Sequence, residues 1–189
     1  YRNGLTGIGL KEHASATILQ NECFENGRSG IGLSDNSSAI VRHNHLHHNK
    51  ASGIGFAKCA TGTALIENNR VIDNGMVAAG VNPGWNVTFK DNVFSREGGM
   101  PPIVMVFGGS ETIFTGNTIR GSGVAGIRTN GKVRALRNRF EGTKMRAVGP
   151  PNYGIWALPG ANIQFTDNTV TGWRHAIFAD RAKVIAKGN

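Results

Sequence analysis

Several common building materials are scarce in this chain of 189 residues. Aromatic residues make up 7% and apolar residues 39%, so the interior can only be a narrow stack of Ile, Val, Leu, Phe and Ala. Leucine occurs 8 times, too rarely for a leucine-rich repeat. With 2 cysteines and no C-x-x-C spacing, neither a disulfide framework nor a thiolate zinc site can be built. Cys23 fits an inward slot, Cys59 falls in a different segment of its repeat, and a disulfide between them is not expected. No apolar run is long enough to cross a membrane. Acidic residues number 12 against 21 basic ones, which leaves few carboxylates for a calcium cage or a two-carboxylate hydrolase.

Glycine and a repeat are abundant. The frame is an apolar residue, a gap, an apolar residue, two gaps, asparagine, a gap and an apolar residue. It runs Ala16-Ile18-Asn21-Cys23, Ala39-Val41-Asn44-Leu46, Ala64-Ile66-Asn69-Val71 and Val87-Phe89-Asn92-Phe94. It continues through Thr112-Phe114-Asn117-Ile119, Val133-Ala135-Asn138-Phe140 and Ile163-Phe165-Asn168-Val170 to an incomplete copy at Val184-Ala186-Asn189. The asparagines are spaced by 23, 25, 23, 25, 21, 30 and 21 residues, the period of a solenoid. Within each copy apolar and polar residues alternate, the period of a strand with one buried face. A second alternating stretch, often opened by a Gly-Ile pair such as Gly7-Ile8 or Gly126-Ile127, replaces the helical half of a leucine-rich repeat. The 27 glycines suit a chain that turns sharply three times per coil.

This pattern resembles the right-handed parallel β-helix repeats of the pectin-lyase-like and NosD-like proteins. The resemblance implies an all-β fold: a single-stranded parallel β-helix solenoid of about eight coils of 21–30 residues with an internal asparagine ladder, residues 1–189 forming one domain. Tyr1 and Asn189 both fall in mid-coil, so the expectation is a segment of a longer polypeptide whose ends self-associate or continue into flanking coils. The resemblance also implies an extracellular or periplasmic setting, although no signal peptide occurs in this segment.

In such a fold, residues at equivalent frame positions are direct neighbours about 4.8 Å apart, and function must be sought in columns. The outward position of the Gly-Ile face reads Gly9, Gly32, Gly55, Asn82, Met105, Arg128, Trp156, Phe178, bare at one end and armed at the other. Arg128 beside Trp156, with Asn130, Asn82, Tyr153 and Arg146 nearby, makes a sugar platform: an aromatic face for stacking and a guanidinium for a carboxylate. Connections that lengthen toward Met76-Val77, Glu97–Pro102 and Thr143–Tyr153 would wall one side of it. In the resembled polysaccharide lyases a basic residue or Tyr abstracts the C5 proton, and Arg128 matches such a residue in type and place. Asp180 stands nearly alone on that face, so an enzyme here would be a lyase or epimerase and not a two-carboxylate hydrolase. No cofactor is expected, since the calcium such lyases use has no ligand cluster here.

A second cluster lies elsewhere. His43, His45 and His47 alternate on one stretch, and imidazoles at i and i+2 on a strand can hold Zn²⁺ or exchange protons. Arg70 and Asp91 join His43 and His45 there as candidates, but the columns supply no third histidine or cysteine, so no metal is expected. Residues 1–100 hold 9 Lys/Arg against 8 Asp/Glu and residues 101–189 hold 12 against 4, placing a net +8 at the C-terminal end. Such a field favours an anionic partner. Three readings stay open: a domain that binds or processes an acidic polysaccharide, a non-catalytic structural or adhesin segment, and a nucleic-acid binder through Arg134, Arg137 and Arg139. The last is the weakest, because those arginines do not alternate with aromatics.

Overall fold

The computed structural model describes residues 1–58, 61–144 and 148–189, and Cys59 lies outside them. The chain winds through eight coils; the first seven contribute short strands to three parallel sheets and the eighth to two of them. In the second coil these are Ile31–Leu33, Ser38–Arg42 and His45–His47. Sheet A and sheet B each stack eight strands in coil order, and sheet C stacks seven. Register is residue on residue: Ile31 pairs with Ile8 and Ile54 in sheet A, and Val41 with Ile18 and Ile66 in sheet B.

Alternation decides which side chains go inside. Ile31, Leu33, Val41 and Leu46 point into the solenoid and are fully buried, as are Val104, Val106, Phe114 and Ile119 three coils later. The middle coils are filled by rings: Phe89 stacks on Phe114 with centroids 4.9 Å apart, and Phe56 meets Trp85 at 5.2 Å. Trp85 satisfies its indole by donating Nε1–H to the Ala57 carbonyl at 2.9 Å.

Between sheets B and C the chain turns in two residues. The first is in the left-handed region in every coil (Gln20, His43, Asn68, Asp91, Gly116, Arg137, Asp167, Gly188), and the second is the ladder asparagine. Each asparagine donates its backbone N–H and its side-chain Nδ2 to the Oδ1 of the next, as Asn92 does to Asn117, both at 2.9 Å. The same Nδ2 reaches the Ile66 carbonyl at 2.8 Å, so a bend that would strand polar groups in the core is satisfied. The expected ladder runs unbroken from Asn21 to Asn189.

A second ladder lies at the bend between sheets C and A, where Asn3, Asn26, Asn49 and Asn74 repeat the arrangement in the first four coils. Its upper end meets Arg96, whose guanidinium donates to the Asn74 and Gly75 carbonyls and, across its own loop, to Gly98. Burial lowers the Arg96 pKa from its ordinary value, and Asp73 opposes that shift.

Candidate functional site

Along the outer face of sheet A runs an open groove of about 810 Å³, spanning the first six coils. Its floor is Gly9, Gly32, Gly55 and Gly80, aligned by strand register. A Cβ added at Gly9 would meet nothing within 4 Å, and at Gly80 only ordinary contacts, from 3.4 Å. Packing does not require glycine at those two positions, and their effect is a flat backbone floor. At Gly32 and Gly55 the missing Cβ makes room for Thr6 and Ser29.

One wall is built from the connections into sheet A, with Arg28, Met76, Val77 and the Pro101-Pro102 pair. The other comes from the strand ends, with Lys11, Ser34, Asn82 and Phe107. Met105 and Arg128 close the C-terminal end. Lys11 is paired with Glu12 at 3.0 Å. Neither Arg28 nor Arg128 has a carboxylate within ion-pair distance among the described residues.

Arg128 sits in sheet A between Met105 and Trp156. Its guanidinium carbon lies over the Trp156 ring, 4.7 Å from the centroid. Stacking of this kind favours one orientation of the guanidinium plane. The Arg128 Nε is buried and has no hydrogen-bond partner among the described residues. Behind Trp156 an aromatic cluster continues: Tyr153 lies 5.3 Å from Trp156, 4.9 Å from Phe178 and 5.7 Å from His175.

The expected site residues are therefore distributed unevenly. Arg128, Trp156 and Tyr153 come together as anticipated. Asn82 does not hold the floor position: Gly80 pairs with Gly55 and Met105, and Asn82 stands two residues further on, beside Phe107, where Nδ2 donates to the Phe56 carbonyl at 2.8 Å. Asn130 occupies the equivalent place two coils later, and its Oδ1 accepts the Gly108 N–H at 2.8 Å. Both asparagines trim the strand ends, each with part of its amide left over. Arg146 lies outside the described residues. Lys11 and Phe107 fall on the same face by the repeat frame, two positions beyond the floor, but were not among the expected site residues, and Arg28, from the connection into sheet A, was not expected there at all.

The histidine cluster also rearranges. His43 is not on the strand with His45 and His47, because it takes the left-handed bend position with φ 54°. Asp91 takes the same bend position two coils later, with φ 53°. His45 and Arg70 remain on the outer face of sheet C as register partners, and Glu22 precedes them in that column. Burial is the largest influence on His45 and, with His47 and Arg70, lowers its pKa against the opposing pull of Glu22.

The basic C-terminal half does not converge on the groove. Lys132 pairs with Glu111 at 2.9 Å, and Arg120 and Arg139 both reach Glu141 on sheet C. Arg134 lies in sheet B beside Ile113 and Gln164, Arg137 in the ladder bend and Arg139 in sheet C, so the three arginines of one coil face different ways. A second concavity of about 700 Å³ over sheet B is lined by small and apolar residues such as Thr17, Ile40, Leu65 and Ile113, with Glu111 as its ionisable member.

A family model described as a right-handed β-helix region matches residues 1–84 and 60–189, together the whole chain. No curated protein and no solved structure matches it.

Proposed function

The chain belongs to the right-handed β-helix family, and from that premise we propose that the sheet A groove binds an extended acidic polysaccharide of the polyuronate type. At about 4.8 Å per coil, a groove crossing six coils is on the order of 24 Å long, room for several sugar units laid along the axis. The observation that carries this reading is Arg128: a guanidinium stacked on Trp156 at the end of a flat groove, with no carboxylate within ion-pair distance among the described residues. A uronate carboxylate in the groove can pair with this guanidinium in a charge-assisted bond. Arg28 offers a second cation further along the wall, and Phe107 an exposed ring for a sugar face.

The role assigned to Arg128 is carboxylate pairing, because its planar fork of N–H donors matches the two oxygens of a carboxylate. Chemistry on the sugar, if the groove performs any, belongs to the lyase or epimerase class, since no carboxylate pair flanks Arg128 among the described residues. A polymer of this kind places the protein outside the cell or in the periplasm.

Binding to soluble polyuronate, sulfated and neutral glycans should be measured by titration at two salt concentrations, with absorbance followed for unsaturated uronate. The expected result is saturable binding of the acidic polymer that weakens at least tenfold in Arg128→Ala and in Trp156→Ala. Undiminished affinity in both variants, or no binding to any acidic glycan, overturns the reading and leaves the structural or adhesin segment in its place.

A further inference from the structure

We propose that Glu22, His45 and His47 form a mononuclear site for a divalent transition ion of the zinc class on the outer face of sheet C. The three residues come from adjacent coils and share one face because of two independent regularities. Strand register sets Glu22 directly beside His45, and the two-residue strand period sets His47 on the same side as His45. Their ligand atoms all lie within 4.8 Å of one another. Glu22 Oε1 is 3.1 Å from His47 Nε2 and 3.5 Å from His45 Nδ1. For bonds of about 2.0–2.1 Å, neighbouring ligands of a tetrahedral zinc ion are about 3.3–3.4 Å apart, so these separations already straddle the required edge.

The supporting contacts fix the least exposed ligand. The His47 ring lies flat on Phe24, centroids 5.0 Å apart and planes 4° from parallel, and Phe24 in turn stacks on Tyr1. On its other side His47 Nδ1 is 2.8 Å from His48 Nδ1, so these two nitrogens share one proton. When His47 carries that proton on Nδ1, its Nε2 lone pair faces the Glu22 oxygen. In that tautomer Nε2 is free to coordinate an ion, which takes the place of the proton that otherwise bridges Nε2 and the Glu22 carboxylate. His48 then accepts from the ligand's far nitrogen, as second partners of metal-bound imidazoles do.

Two imidazoles and one carboxylate are the donor set of an open zinc site, with the remaining position turned to solvent. Arg70 follows His45 in the same column and opposes a cation there. That opposition yields a variant with the contrary sign.

The test uses the full chain stripped of metal, titrated with Zn²⁺ against a chromophoric chelator, and separately with Co²⁺ read by its visible absorption. The expected result is one saturable ion per chain and an intense Co²⁺ band of four- or five-coordinate character. His45→Ala and His47→Ala each weaken Zn²⁺ binding at least tenfold, and His48→Ala weakens it about tenfold. Arg70→Ser strengthens it several-fold, and His43→Ala leaves it unchanged because that residue sits on the bend. Circular dichroism of each variant establishes that it is folded. A Co²⁺ spectrum of the six-coordinate aquo ion, or equal losses in His43→Ala and His45→Ala, overturns the site.

Discussion

Thr112 occupies a slot that neighbouring coils fill with Ala64, Val87, Val133 and Ile163. It is fully buried, and its Oγ1 has no hydrogen-bond partner among the described residues. A buried hydroxyl without a partner keeps its desolvation cost and gains nothing. Thr112→Val keeps the shape and removes that cost, so chemical denaturation should show a gain of about 1 kcal/mol. An equal or lower midpoint would mean that the hydroxyl is satisfied in solution. The opposite case is Asn117, which is also fully buried but accepts both the backbone and side-chain N–H of Asn92 and donates to the Phe89 carbonyl. Asn117→Ala strands these groups and should cost about 1–3 kcal/mol for each one left unpaired. Asn21→Ala, at the half-exposed start of the ladder, should cost distinctly less. The ladder was legible in the sequence because its spacing recurs in every coil. The second ladder, at Asn3, Asn26, Asn49 and Asn74, was equally regular over four coils, but it stops where Arg96 and the 97–102 connection take over. A pattern confined to half a chain does not announce itself as a column.

Strands and connections carry the features that sequence periodicity could not resolve. In the fourth coil Ala79 stands where the other coils have Ile or Val, so Gly80-Val81 imitates a Gly-Ile pair and slides the alignment by two residues. A two-residue slip returns every side chain to its correct face, so alternation gives no warning, and Asn82 was assigned to the floor that Gly80 forms. The column that sets Glu22 beside His45 and Arg70 was legible from the repeat frame and holds in the register, but how closely the Glu22 carboxylate approaches both His45 and His47 depends on side-chain placement that the frame does not give. Connections hide a further element. Glu97 receives the Ser122 hydroxyl at 2.7 Å and the Thr143 hydroxyl at 2.9 Å, and it lies 3.5 Å from Lys144, clasping three successive coils beside the groove wall. Burial raises the Glu97 pKa, but the two hydroxyls and Lys144 outweigh it and hold the carboxyl below its ordinary value. A depressed folded value adds stability above the unfolded pKa that is lost as pH falls through the folded one. Glu97→Gln should therefore cost about 0.5–1 kcal/mol at pH 7, a modest sum because solvent screens the clasp. The gap to wild type should close as pH drops below about 4.3, where the unfolded carboxyl is half protonated, and through the lower folded value. A gap independent of pH would assign the effect to shape and not to charge.

Across the whole molecule, stability is a sum over coils and the interfaces between them, since each coil touches only its neighbours. The central coils have coils on both sides and bury their side chains completely: Phe89, Phe94, Phe114 and Ile119 are all at 0% exposure. In the coil that carries His175–Ala179 and Lys183–Lys187 most residues of both strands are exposed, with Ile185 at 54%. Local opening in such an array should start at that coil and stop where burial on both sides begins. Native-state hydrogen exchange should find Val104–Val106, Glu111–Thr115 and Thr118–Gly121 opening only with global unfolding, while the amides of the last coil exchange many-fold faster. Asn117→Ala should then lower protection in the coils on both sides of it, because its hydrogen bonds cross both interfaces. Arg128 and Trp156 lie between these regimes, two coils and one coil from that exposed coil respectively. A polyanion that bridges Arg128 to the rest of the groove would carry protection outward into Tyr153–Ala157, which gives the proposed ligand a structural readout separate from affinity. Uniform protection from first coil to last would instead mean that the solenoid opens as one block, and the coil-by-coil account of its stability would have to be abandoned.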